Sequence, residues 1–169
     1  GILRDGMDYR GCLYAGIMMT ANGPYVLEFN ARFGDPETQV VLPRLESDLF
    51  ELLYAIATAQ EPAAPLFTQK VCAGVVVASS AYPERSDPVD NLPLPPAQDG
   101  VAYFWGGSKV AGSTVSSAGG RVLTVTALGE TIEIARTRAY AACAAYAAAT
   151  PKPERLRYRS DIAQRAVTR

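Results

Sequence analysis

The chain has 169 residues, of which 49% are apolar, and this is enough for one ordinary domain or two small ones with a real core. Its 16 basic and 17 acidic residues give a net charge of -1, so no overall field draws it to nucleic acid or an acidic membrane. Histidine is absent, which excludes histidine zinc sites and catalytic triads that need an imidazole base.

The three cysteines, Cys12, Cys72 and Cys143, lie far apart in apolar surroundings. Such a pattern is typical of reduced, buried thiols in a cytosol. No apolar run approaches the ~18 residues needed to span a bilayer, and GILRDGMDYR lacks the apolar core of a signal peptide. The sequence therefore predicts a cytoplasmic protein. The chain begins with Gly1 and soon reaches strand-like sequence, so we expect it to be a piece of something longer.

Residues 1–65 are predicted to form a first module, an antiparallel hairpin followed by a helix. The apolar stretch 10–20 precedes the turn signal ANG and then PYVLEFN. FGDPET should form a loop. The segment SDLFELLYAIATAQ begins with Asp48, followed three residues later by Glu51, and its leucines recur with the helical period. A capped amphipathic helix that ends before EPAAP is therefore expected.

Residues 66–169 are predicted to form a second, β-rich module, because EPAAPLF is the best candidate for a boundary. KVCAGVVVASS, VAYFW and RVLTVTA have the composition of strands, and a proline-rich excursion separates the first two. GSKVAGST has the glycine spacing of a phosphate loop but places Ser113 where the lysine must stand, so a turn between short strands is favoured. The alanine-rich run from Glu130 to about Ala149 should be a helix that ends before Pro151.

The residues most suited to chemistry lie at the end of the second predicted strand. Glu28, Asn30 and Arg32 alternate with apolar residues and so project to one face of a strand. A carboxylate and an amide carbonyl are hard oxygen ligands that suit Mg²⁺, and an arginine can bind a phosphoryl oxygen through two N–H groups. Asp35 and Glu37 in the following loop could orient a second reactant. The alternative is a solvated strand face with no bound ligand.

Four segments resemble the C-terminal part of the glycinamide ribonucleotide synthetase (phosphoribosylamine-glycine ligase) family. They are YRGCLYAG at 9–16, VLEFNARFGDPETQ at 26–39, GGRVLTVTALGETIEIARTRAY at 119–140 and RYRSDIAQRA at 157–166. The Glu-x-Asn-x-Arg pattern is shared by ATP-grasp ligases in general, and GDPE narrows it to this family. The resemblance implies an α+β chain, in which the C-terminal part of an ATP-grasp domain, an antiparallel sheet plus helix, precedes a small β-rich domain with a terminal helix.

The resemblance also implies a reaction and a role for each candidate residue. Enzymes of this family join 5-phosphoribosylamine to glycine with cleavage of ATP, through a glycyl phosphate, in purine synthesis. Glu28 and Asn30 would hold Mg²⁺ or Mn²⁺ against the ATP phosphates, and Arg32 would stabilise charge during transfer. Asp35 and Glu37 would position glycine or the phosphoribosylamine.

Two other interpretations stay open at the level of sequence. The chain could be another ATP-grasp carboxylate-amine ligase, or a non-catalytic remnant that serves as an interaction module. The resemblance does not extend to the family's N-terminal half, which includes the part that clamps the nucleotide. We therefore expect this chain to be inactive by itself, and to expose apolar surface on its hairpin.

Overall fold

The computed structural model describes Ile2 and residues 4–167. This part of the chain forms two compact units. Unit 1 comprises the residues up to Thr38 together with Leu45–Thr68, and unit 2 comprises Gln39–Arg44 together with the chain from Gln69 onward. The predicted boundary between residues 65 and 66 stays a prediction.

Nine strands and four α-helices make up the regular structure of the described residues. The strands are β1 (Tyr14–Thr20), β2 (Gly23–Asn30), β3 (Val71–Ser79), β4 (Leu92–Pro93), β5 (Val101–Trp105), β6 (Ser108–Ala111), β7 (Thr114–Ser117), β8 (Arg121–Gly129) and β9 (Leu156–Arg157). The helices are α1 (Thr38–Val41), α2 (Leu49–Ala57), α3 (Ile132–Ala149) and α4 (Gln164–Val167).

Unit 1 is built on the predicted hairpin, in which β1 pairs antiparallel with β2. Thr20 closes the turn, since its hydroxyl accepts from the backbone N–H of Asn22 and donates to the carbonyl of Gly23. Gly23 has a φ of 104°, a conformation that favours glycine, so the glycine of the ANG signal has a specific use. A β-bulge interrupts the ladder between Gly16 and Ile17.

The helix of unit 1 is α2, and its start confirms the predicted cap. The Asp48 carboxylate accepts from the backbone N–H groups of Phe50 and Glu51, two of the donors that a helix leaves unpaired at its start. No residue of α2 is fully buried. Among the described residues of unit 1, Gly34 alone is buried, so this unit has no apolar core of its own.

Unit 2 contains two antiparallel sheets. The larger has the strand order β5-β8-β3-β9, and the smaller has the order β4-β7-β6. The long central strands β3 and β8 pair over most of their length, and their residues, including Val75, Val77 and Val125, are largely buried. GSKVAGST lies in the β6–β7 hairpin, with Gly112 at a φ of 61° in its turn, which confirms the turn and not a phosphate loop.

Helix α3 covers the larger sheet with a face of mostly small side chains. Thr131 caps its start by accepting from the backbone N–H of Ile134, and the helix ends at Ala149 as predicted. Its buried residues recur with the helical period and are Ala135, Ala139, Ala142, Cys143 and Tyr146. A Cβ on Gly129 of β8 would lie 2.5 Å from the backbone nitrogen of Ala135, so the close approach of helix and strand depends on glycine at this position.

The chain after α3 is fastened back onto that helix. Arg136 donates to the carbonyls of Ser160 and Ile162, at 2.8 and 2.9 Å. The Tyr140 hydroxyl donates to the carbonyl of Arg159 and accepts from the backbone N–H of Ile162. These bonds satisfy backbone groups that would otherwise depend on water.

Residues 39–44 pack against β3 within unit 2. A Cβ on Gly74 would lie 2.5 Å from a methyl carbon of Val40, so Val40 sits directly over this glycine. Arg44 donates to the carbonyl of Lys70 at 2.8 Å. The sequence did not predict this short helical stretch.

The mixed architecture confirms the predicted α+β class, with an antiparallel hairpin and helix followed by a β-rich part with a long helix near its end. Among the described residues, no helix is both long and apolar enough to cross a lipid bilayer.

Candidate active site

Glu28 and Asn30 lie side by side at the end of β2. The Asn30 Nδ2 donates to Glu28 Oε1 at 2.9 Å, which places both side chains on one face of the strand as expected from their spacing. Glu28 is exposed and Asn30 is half-buried. Because the amide nitrogen faces Glu28, the carbonyl Oδ1 of Asn30 and the Oε2 of Glu28 are the oxygens best placed to bind a cation.

The prediction that Arg32 continues the strand of Glu28 and Asn30 is wrong, because β2 ends at Asn30 and a bend follows. Its Nη1 donates to the carbonyl of Phe33 at 2.9 Å, and the side chain is exposed. The described bond of the guanidinium is thus to its own loop and not to the sheet. This bond uses one of the five N–H donors of the guanidinium.

The loop carboxylates Asp35 and Glu37 differ in their surroundings. Asp35 is exposed, whereas Glu37 is half-buried. Glu37 Oε1 accepts a hydrogen bond of 3.0 Å from the hydroxyl of Tyr14. This bond crosses from β1 to the loop after β2, so it fixes Glu37 relative to the hairpin.

Gly34 makes room for that contact. A Cβ at position 34 would lie 2.7 Å from Glu37 Oε2 and 2.9 Å from a ring carbon of Tyr14, both closer than real Cβ atoms come. The Thr38 side chain and backbone N–H both bond to the Gly34 carbonyl and so close the loop. Tyr14, Gly34 and Glu37 therefore form one packed group.

Charged side chains near Tyr14 affect the pKa of its hydroxyl. Its hydrogen bond to Glu37 raises the pKa of the Tyr14 hydroxyl, and desolvation and the charges of Glu37 and Glu28 act in the same direction. The positive charge of Arg32 opposes them. The charges of Glu28, Arg32 and Glu37 thus all act on one hydroxyl, that of Tyr14.

The residues present fit a divalent cation that shares its shell with substrate. Among the described residues, no group of three or more acidic, cysteine or histidine side chains comes together as a metal site. Glu28 and Asn30 offer hard oxygens without a complete cage, which is the arrangement expected of a Mg²⁺ that keeps waters and phosphate oxygens as ligands.

The hairpin exposes many apolar side chains, as the sequence predicted. Met19, Leu27 and Phe29 are 73%, 65% and 63% exposed. Ile17, Met18, Tyr25 and Val26 are also more than half exposed. An apolar surface of this extent is unusual on a small unit.

Tyr14 and Gly34 are the site residues that sequence reasoning missed, although they stand inside the motifs YRGCLYAG and VLEFNARFGDPETQ. A continuous ladder from the Thr20–Gly23 turn would pair Tyr14 with Phe29 and place it on the opposite face from Asn30. The bulge inserts Leu27 into β2, so Tyr14 pairs with Asn30 and Gly16 with Glu28. The tyrosine therefore reaches the polar face only because of the bulge.

Two family models match the chain in the same order as its two units. The model described as phosphoribosylglycinamide synthetase, C domain, matches residues 72–165, more than half of the chain. The model described as phosphoribosylglycinamide synthetase, ATP-grasp (A) domain, matches residues 1–38, which include all five candidate residues.

Individual proteins are similar over most of the chain. A phosphoribosylamine–glycine ligase of Rhizobium meliloti is 41% identical over 173 aligned residues, covering 100% of this chain and 39% of the relative. One from Listeria innocua is 45% identical over 83% of this chain and 34% of the relative. The trifunctional purine biosynthetic protein adenosine-3 of Bos taurus is 43% identical over 99% of this chain and 16% of its own length.

A solved structure has the same fold. The crystal structure of phosphoribosylamine–glycine ligase from Thermotoga maritima matches with a TM-score of 0.71 and 27% identity, over 93% of this chain and 37% of that chain. The chain thus spans between a third and two-fifths of the length of these single-function ligases.

Proposed function

The chain belongs to the phosphoribosylglycinamide synthetase family, and from this premise we propose that it forms the metal-binding and acyl-transfer part of an ATP-dependent ligase. The ligase joins glycine to 5-phosphoribosylamine in purine biosynthesis. The observation that carries the proposal is the paired Glu28 and Asn30 on one strand face, within the segment that matches the ATP-grasp model. The two rival interpretations are not favoured, because the named relatives are ligases for this one reaction.

Each candidate residue has a task in this reaction. Glu28 and Asn30 would hold Mg²⁺ or Mn²⁺, which neutralises phosphate charge when bound. A glycine carboxylate oxygen attacks the γ-phosphorus of ATP, giving glycyl phosphate and ADP, and the ribosylamine nitrogen then attacks the acyl carbon and expels phosphate. Arg32, which follows Asn30 by two residues, would stabilise the charge on the transferring phosphoryl group.

The loop carboxylates are proposed to bind the nitrogen-containing substrates. Asp35 and Glu37 lie in the loop that follows β2, and their negative charge suits the binding of glycine or of the amine of 5-phosphoribosylamine. We place the boundary between the ATP-grasp portion, 1–65, and the C domain, 66–169, in the proline-containing segment after α2. A cytoplasmic location is supported by three cysteines that are all unpaired thiols.

A chimaera tests the proposal. The matching segment of the Rhizobium meliloti ligase is replaced by this chain, and the purified chimaera is assayed for glycinamide ribonucleotide with ATP, glycine and 5-phosphoribosylamine. We expect product formation that depends on all three substrates and on a divalent cation. The 169-residue chain alone should form no product, because Glu28 and Asn30 leave most positions around the metal to other ligands and the family places the nucleotide clamp elsewhere.

Two results would contradict the proposal. A folded chimaera that makes no product would favour a non-catalytic role for the segment. A chimaera that cleaves ATP equally with and without glycine and the ribosylamine would assign the segment to a different ligase.

A further inference from the structure

Glu37 is held in place by a residue on the neighbouring strand. The Tyr14 hydroxyl donates to Glu37 Oε1 at 3.0 Å, and Gly34 lies against both side chains. Tyr14 pairs with Asn30 across the hairpin, so the tyrosine lies between the proposed metal ligands, Glu28 and Asn30, and the carboxylate of Glu37. A hydrogen bond to a carboxylate is stronger than one between neutral groups and restricts its orientation.

We propose that Tyr14 is a positioning residue, which holds the Glu37 carboxylate where it binds the ammonium group of the amino-acid substrate, glycine. The inference rests on the proposed ligase function and deepens it by naming which loop carboxylate binds which substrate. Asp35 is exposed, whereas Glu37 is half-buried and oriented by the hairpin.

Charge decides between the two nitrogen substrates. Glycine carries a full positive charge on its ammonium group at neutral pH, so an oriented carboxylate attracts it strongly. The nitrogen of the ribosylamine must be uncharged to attack the acyl carbon, and a carboxylate that stabilised its protonated form would oppose the reaction. Glu37 is therefore assigned to glycine.

The kinetic test uses the chimaera with four variants: Tyr14→Phe, Glu37→Gln, both together, and Tyr25→Phe as the matched control on an exposed tyrosine of β2. Tyr14→Phe should raise the KM for glycine about tenfold, the effect of losing one hydrogen bond to a charged group, with kcat and the KM for ATP nearly unchanged. Tyr25→Phe should leave all three constants as they are.

A double-mutant cycle separates positioning from a direct role. If Tyr14 acts only through Glu37, the double variant should be no worse for glycine than Glu37→Gln alone. Glycolate, which has a hydroxyl in place of the ammonium group, should compete with glycine more effectively in Tyr14→Phe and Glu37→Gln than in the wild type. Additive effects, an equal loss for ATP, or unchanged discrimination against glycolate would overturn the proposal.

A second measurement does not depend on activity. In the 169-residue chain, hydrogen exchange of the amides in residues 31–37 should be faster in Tyr14→Phe than in the wild type or in Tyr25→Phe. Equal exchange in all three proteins would show that Tyr14 does not hold the loop. An inactive wild-type chimaera with faster exchange in Tyr14→Phe would reject the ligase function and the assignment to glycine, and would leave the Tyr14–Glu37 contact established.

Discussion

At the scale of single residues, the hydrogen bond between Asn30 and Glu28 sets what each side chain can offer. Asn30 presents its nitrogen to the carboxylate, so its carbonyl oxygen points away from Glu28. A glutamine at position 28 would keep an oxygen acceptor for this bond, but would lose the negative charge and would place an NH2 group where Oε2 could bind a cation. The substitution thus tests cation binding by Glu28 while its hydrogen bond to Asn30 is kept.

Glu28→Gln in the chimaera should lower kcat/KM at least about tenfold and raise the metal concentration needed for half-maximal activity, because a charged ligand is lost while the volume is kept. The control is Glu61→Gln, the same substitution at an exposed site outside the hairpin. Activity and metal dependence that match this control would remove Glu28 from the metal shell.

Arg32→Lys should reduce turnover about tenfold or more, because lysine keeps the charge but loses the planar pair of donors. The side chain is exposed and its described bond is to the adjacent Phe33 carbonyl, so Tm should stay close to that of the wild type. A large fall in Tm with normal turnover of the folded fraction would identify a structural role instead.

At the scale of elements, the strands and helices that were predicted are those with a local signal in the sequence, such as composition, periodicity or a cap. Strand β3 has the composition of a buried strand, α2 has a cap and the helical period, α3 has high helix propensity, and each appears where expected. The two-residue strands β4 and β9 have no such pattern, since they exist only through pairing with distant residues. The bulge at Leu27 likewise depends on how two strands fit together, and it decides which face Tyr14 joins.

The packing of β8 can be tested at Gly106, just after β5. A Cβ there would lie 2.4 Å from the backbone carbonyl oxygen of Arg121, and backbone cannot move aside as a side chain can. Gly106→Ala should therefore destabilise unit 2 by about 1–3 kcal/mol, measured by denaturant unfolding. Gly119→Ala is the control, since a Cβ at position 119 meets nothing within 4 Å. Equal stability of the two variants would mean that the strand end shifts freely.

At the scale of the whole molecule, the two units differ in what holds them together. The buried apolar cluster lies in unit 2, where β3, β8 and α3 meet, whereas the described part of unit 1 buries only Gly34. A two-stranded hairpin without a core is marginal in water, because little apolar surface is removed from solvent.

Native-state hydrogen exchange should therefore be graded along the chain. Amides of β1 and β2 should exchange at least about 100-fold faster than those of β3, β8 and the middle of α3, because local opening of unit 1 exposes little additional apolar area. Similar protection in both units would mean that the hairpin is stabilised by contacts beyond its own ladder. Lowering the protein concentration would then test whether association supplies them, through the exposed Met19, Leu27 and Phe29.

Residues 39–44 belong to unit 2, although in the sequence they lie between the two segments of unit 1. Val40 covers Gly74, and Arg44 donates to the carbonyl of Lys70. Part of the packing of unit 2 is thus supplied by residues that precede α2 in the sequence. A gene fragment that starts at codon 69 would encode β3 without Val40, so Gly74 would be exposed on the face that Val40 covers. Recombination between relatives at residues 61–68 would likewise separate Val40 from the Gly74 that it contacts. Crossover points before residue 39 should therefore give better-folded hybrids than those at residues 61–68.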